Sequence, residues 1–226
     1  MRAVPGTAAL VAACALGLVA CGGGGGGSTK AAAGGDQAAA AKIVLLKSDF
    51  PAGWTSTPHQ ATPADDTTRQ QFAQCLGIPD PKTLQTGDAQ SPDFAKGQTT
   101  TASSEARFVH TDAQASAALA AYQTAKGTDC FKQTLTSALP GQLPQGATTS
   151  NLAVQQLTFP TLKDGTAAYQ ASLTVSIASG ISVPVYVDLV IFRAGRAEVT
   201  LTTVNTGSPF DSGLEKKLAQ NLAARA

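Results

Sequence analysis

The stretch AAYQASLTVSIA, residues 167–178, alternates with a period of two. Tyr169, Ala171, Leu173, Val175 and Ile177 fall on one side, and Gln170, Ser172, Thr174 and Ser176 on the other. That period marks a strand with one buried face. Two more apolar runs, 183–192 and 197–204, follow at hairpin spacing, and their apolar sets also favour odd numbers. Adjacent antiparallel strands share a face only when paired residue numbers have an even sum, which requires loops with an odd number of residues. Three is the shortest common choice, and the loops 178–180 and 193–195 both end in glycine, as a left-handed third position wants. The register expected is Val175 opposite Val183 and Ile191 opposite Ala197, with Gly180 and Gly195 at positive φ. The core face is then Leu173, Val175, Val183, Val185, Val187, Leu189, Ile191, Val199 and Leu201.

The even face of the central run carries Tyr186, Val190 and Phe192, flanked by Gln170, Ser172, Thr174, Arg196, Glu198 and Thr200. Two readings stand. Either helices cover this face, giving three layers, or it is a partly open apolar groove with polar edges, the usual make-up of a small-molecule site. Trp54, the only tryptophan, likewise reads as a core anchor under a loop or as a ligand-stacking ring.

Working outward, residues 99–109 and 152–159 read as further strands, the second with a bulge at 155–156 where its apolar phase slips. Asp65 or Asp66 caps a helix over 67–76, and residues 79–98 read as irregular. Thr111 or Asp112 caps a helix to about residue 125, and Thr128 caps another with Phe131, Leu135, Ala138 and Leu139 facing inward. Ser212 with Glu215 makes a capping box for a last helix with the stripe Leu214, Leu218 and Leu222; Ser208 and Pro209 are an alternative start. Strands in runs with grouped helices predict an α+β fold, an antiparallel meander flanked by helices.

The N-terminus sets the address. Arg2 precedes an uncharged apolar stretch, residues 8–20, too short to span a bilayer but normal for a signal peptide. Leu18-Val19-Ala20-Cys21 resembles the lipobox of bacterial lipoproteins, in which the cysteine is lipidated and becomes the first mature residue. An ordinary secretory signal cleaved nearby is the alternative. Residues 1–20 are thus expected to be a leader, 21–41 a flexible Gly/Ala-rich tether, and 42–226 one α+β domain. Ala38 to Ala41 also reads as the start of a helix running to Leu46. Two acyl chains on Cys21 hold a protein on a membrane stably. With Cys14 in the leader and Cys21 lipidated, Cys75 and Cys130 remain, an even pair that reads as a disulfide in an exported protein.

Charged residues make up only 14% of the chain and the net charge is +1, so nucleic acid is not an expected partner. Metal-protease, nucleophile-elbow, redox and phosphate-loop motifs are missing from the sequence. His59 and His110 read as surface or capping histidines. Glutamate occurs only at 105, 198 and 215, which leaves few candidates for a carboxylate-pair hydrolase. No cofactor is expected, and the chain is expected to be a monomer.

Pro51-Ala52-Gly53-Trp54, Cys75-Leu76-Gly77-Ile78-Pro79, Ser91-Pro92-Asp93-Phe94 and the 183–201 hairpin with Phe192-Arg193-Ala194-Gly195-Arg196 resemble a group of actinobacterial surface lipoproteins of unknown function. The order of elements is more loosely similar to LpqN-type lipoproteins and to PknH-type extracellular sensor domains. The resemblance implies a PsbP-like α/β/α sandwich and supplies no catalytic residues. The expected function is a membrane-anchored, non-enzymatic binding or sensor module for a lipid, glycan or protein of the envelope; an envelope hydrolase with an unrecognised site is the alternative.

Overall fold

The computed structural model describes residues 29–60, 62–143, 145–177 and 180–226. The leader, its lipobox and Cys21 lie outside the described residues. In chain order the elements are α1 (Thr29–Ile43), β1 (Thr55–Thr57), α2 (Pro63–Leu76), α3 (Pro81–Leu84), β2 (Gln85–Gln90), β3 (Asp93–Lys96), β4 (Thr100–Val109), α4 (Asp112–Tyr122), α5 (Ala125–Gln142), β5 (Thr148–Gln156), β6 (Thr166–Ser176), β7 (Ser182–Ala194), β8 (Ala197–Thr206) and α6 (Ser212–Arg225). Among the described residues the strands form one antiparallel sheet in the order β1-β3-β4-β8-β7-β6-β5, with β2 beside β4. β2 and β3 run along the same edge of β4, interrupted at Ser91 and Pro92. Ser91 bridges the gap, donating its N–H to Ser104 O at 2.9 Å and accepting from Ser104 N at 2.9 Å. The fold is α+β, an antiparallel sheet flanked by helices.

The two hairpins part company. In the first, Val175 lies opposite Val183, Ile177 N donates to Ile181 O at 3.0 Å, and Gly180 has φ 83°, so the loop has three residues as expected. In the second, Ala194 pairs with Ala197 around a two-residue turn, Gly195-Arg196. Gly195 has φ 56° and Arg196 is not among the positive-φ residues, which fits a turn with glycine at its first central position. Ile191 therefore faces Thr200, not Ala197, and Val199 and Leu201 lie opposite Phe192 and Val190. The expected register is off here by three residues, an odd number, so every β8 side chain is on the other face.

That slip gives the sheet two apolar faces. On one, Ala102, Ala106, Val190, Phe192, Val199 and Leu201 pack under α1 and α6, with Leu218 and Leu222 fully buried. Each such leucine contributes about 2 kcal/mol by leaving water. On the other, Ala167, Tyr169, Ala171 and Ile191 pack under α2, α4 and α5. The covered, three-layer reading of the even face holds, and the open groove does not exist: Val190 and Phe192 are fully buried. Trp54 is buried too, its ring tilted against Phe50 with centroids 4.6 Å apart. Tyr186 sits apart and half-buried, between Ser172 and Asn205. Trp54, Tyr186, Val190 and Phe192 form no common ligand site.

Residues 29–41 are helix rather than tether. Alanine is the best helix former, and small side chains let backbones approach closely. Gly87 of β2 lies where a Cβ would overlap the backbone of Asp36 and Gln37. Arg196 clamps the helix with a two-pronged pair to Asp36, at 2.7 and 3.0 Å, while also donating to Val109 O at 2.8 Å. These bonds, opposed by burial, hold the Asp36 carboxyl below the usual carboxylate range.

Other boundaries shift for local reasons. Residues 85–90 and 93–96 are strands despite weak β propensity, because the β4 edge supplies their partners. The β5 irregularity falls between Ser150 and Ala153, where Asn151 has φ 56°, not at 155–156. α5 starts at Ala125, ahead of Thr128. Asp211, not Ser212, caps α6, its carboxylate accepting from Leu214 N at 2.7 Å. Arg225 clamps Asp49 at 2.8 Å and the Val44 carbonyl at 3.0 Å. Cys75 and Cys130 are bonded, with Cα atoms 5.5 Å apart, joining α2 to α5.

Candidate functional site

Odd positions of β4 and even positions of β8 point to the same side as α2 and α4. They bring Glu105, Arg107 and Glu198 together, with Arg107 directly across from Glu198. Arg107 donates through Nη2 to Glu105, and Arg69 from α2 reaches the same Glu105 oxygen at 3.3 Å. Asp88, opposite Arg107 on β2, adds a third carboxylate to the patch. Burial pushes the Glu105 carboxyl up, but Arg107 and Arg69 together hold it below the usual range. Asp88 is raised by its burial and by the Glu105 charge, against the two guanidiniums.

Glu198 is the group left short. It is 9% exposed, and its nearest cation is Arg107 Nη1 at 3.7 Å, beyond hydrogen-bond distance. Arg193, across from it on β7, turns away to Asp112 at 2.7 Å and Asp164 at 3.4 Å. Burial raises the Glu198 carboxyl, Arg107 offsets part of that, and Glu105 adds to it.

Glu198 lines a cavity of about 120 Å³ between the α2–α3 turn and α4. Ile78, Pro79, Leu84, Val109 and Ala118 make its walls apolar, and Gln114 and Tyr122 complete it. The Tyr122 ring is stacked 5.6 Å from Phe72, and burial and the Glu198 charge hold its hydroxyl protonated. One carboxylate in an apolar recess can orient a ligand and pair with a positive charge. A second depression of about 320 Å³ lies over the disulfide between α2 and α5, but it is open and lined by amides and hydroxyls such as Gln71, Gln133 and Ser137.

The histidines are separate. His59 Nδ1 lies 3.0 Å from Asp93, and its Nε2 is buried without a partner among the described residues. No serine is bonded to it there. His110 is exposed, its N–H donating to Leu84 O. Among the described residues, no group of three His, Cys, Asp or Glu is placed to hold a metal.

The strand period puts Glu105 and Arg107 on the side opposite Ala102, Ala106 and Phe108, and the sequence reading puts Glu198 at a groove edge. The available signal was scarcity: all three glutamates stand inside regular apolar patterns, where a solvated residue is not required.

No family model and no curated protein matches the chain. Its structure is similar to the extracellular domain of PknH from Mycobacterium tuberculosis, at 12% identity over 81% of this chain and 92% of that one, with a TM-score of 0.34. It is also similar to a thioesterase family protein from Silicibacter pomeroyi, at 15% identity over 60% of this chain and 97% of that one, with a TM-score of 0.23. Both scores lie below one half.

Proposed function

We propose that this chain is a non-enzymatic binding module held at the outer face of a membrane through a lipidated Cys21, and that the cavity over Glu198 receives its ligand. The leader anatomy supports the anchor. The Cys75–Cys130 bond fits an oxidising compartment. The observation that carries the binding role is the apolar cavity with a single buried carboxylate, since small-molecule sites combine apolar walls with few placed polar groups. The hydrolase alternative asks for a serine and a carboxylate at His59 or His110; among the described residues no hydroxyl bonds His59 Nε2.

Two measurements test this reading. Cys21→Ala should move the protein from the membrane fraction to the medium or to an unprocessed precursor; unchanged detergent partitioning without acyl mass on the mature N-terminus rejects the anchor. For the site, the immobilised protein is exposed to an envelope extract and bound compounds are identified by mass spectrometry. Ala118→Leu, which fills the cavity, should abolish capture, and capture that persists undiminished rejects the cavity as the site.

A further inference from the structure

The buried polar patch holds three carboxylates, Asp88, Glu105 and Glu198, against two guanidiniums, Arg69 and Arg107. Both guanidiniums engage Glu105. Among the described residues Glu198 receives no hydrogen bond, and its one ion pair is the 3.7 Å approach of Arg107. A buried carboxylate without a close counter-charge is costly, and a bound cation removes that cost. The cavity in front of it would repel a hydrated inorganic ion along its apolar walls but accept an alkyl stem. The Tyr122 ring among the lining residues is a surface on which an ammonium group rests well.

We propose that the cavity takes an alkylammonium group, from a free small amine or a lysine side chain, with Glu198 as its counter-charge and Ile78, Leu84 and Val109 around its stem. This rests on the reading that the cavity is a binding site. An engineered apolar cavity of about 150 Å³ admits benzene. The space here, about 120 Å³, therefore suits a stem no bulkier than a butyl chain. An anionic ligand is disfavoured by Glu198 itself.

The test is a titration of the full domain, methyl-labelled at isoleucine, leucine and valine, with n-butylammonium, n-butanol and Nα-acetyl-lysine amide. The Ile78, Leu84 and Val109 methyls report occupancy. Butylammonium or the lysine derivative should shift these methyls with affinity at least ten-fold above butanol. Glu198→Gln should remove that ten-fold advantage and leave butanol binding unchanged. The tighter of the two ammonium probes identifies the source as free amine or protein lysine, and either one supports the assignment. Equal binding of butanol and butylammonium, or ammonium binding unmoved by Glu198→Gln, overturns the amine assignment while leaving the cavity a site for neutral groups. Silence of these methyls with all three probes overturns the cavity reading as well. Should Glu198→Gln fail to fold, Ala118→Leu serves instead. It must abolish the shifts with the carboxylate in place, and shifts that survive it overturn the proposal.

Discussion

Glu215→Gln should stabilise this protein above neutral pH and do little below pH 5. Glu215 lies in α6 and is 4% exposed, facing Asp188 of β7, which is 3% exposed. Thr203 donates its hydroxyl to Glu215 at 3.0 Å, and Asp188, paired across the strands with Gln170, has its Oδ1 buried without a hydrogen-bond partner among the described residues. The positive charge of neighbouring Lys216 favours the ionised form of Glu215. Two carboxyls in so dry a place hold one proton between them. Burial first, then the Asp188 charge, pushes Glu215 up to about 7 from its ordinary 4.5. Asp188 is raised as well, mainly by burial. The folded-state values lie above the unfolded ones. The contribution to stability is therefore complete below about 4.5 and is lost as pH rises through about 7. The loss for Glu215 is at most about 3 kcal/mol. Glutamine has the same shape, still accepts from Thr203, and donates to an ionised Asp188 without needing a proton. At pH 8 it should recover about 1–3 kcal/mol, which raises the melting temperature by about 3–10 °C for a domain of this size. Thermal unfolding followed by circular dichroism at pH 5 and pH 8, disulfide intact, measures this. A wild-type melting temperature that is flat from pH 5 to 8, or a variant equally destabilised at both, refutes the shared proton.

Arg196→Ala removes the fork on Asp36 and should cost about 1–2 kcal/mol, since Arg196 is partly solvated and its pair is screened. The first consequence should be protease cleavage within α1 while the sheet stays folded; cleavage unchanged from wild type would show that α1 is held by other contacts. Replacing both Cys75 and Cys130 by serine frees a 55-residue separation in the unfolded chain, worth up to about 4 kcal/mol. A melting temperature within about 2 °C of wild type, against the 8–16 °C drop expected, would mean the bond contributes little.

The alternation at 167–177, the cap at Thr111 and the even pair of cysteines are local facts, and each is legible as such; the cap of α2 is Thr62, not the expected Asp65 or Asp66, which lie inside its first turn. The strand periods follow from side chains pointing to alternate faces. The first hairpin register follows because β6 has one apolar face to match. The site was only half visible: Glu105, Arg107 and Glu198 can be placed on strands by spacing, but what they meet comes from α2 and α4, distant in the chain.

Tertiary structure decided the rest, and the reason is the same in each case. β7 is apolar on both sides, with Val187, Leu189 and Ile191 against Val190 and Phe192. Face matching with β8 is therefore degenerate, and a two-residue or a three-residue turn at Gly195 satisfies it equally. Helices on both faces make the two-residue turn the better packed. α1 carries too few large side chains to announce itself, and it is held by a close crossing over Gly87 and by Arg196, a residue 160 positions away. Among the described residues Glu198 lacks a hydrogen-bonded guanidinium because Glu105 engages both Arg69 and Arg107. No window of the sequence contains that competition. It arises when three strands and two helices are brought to one place.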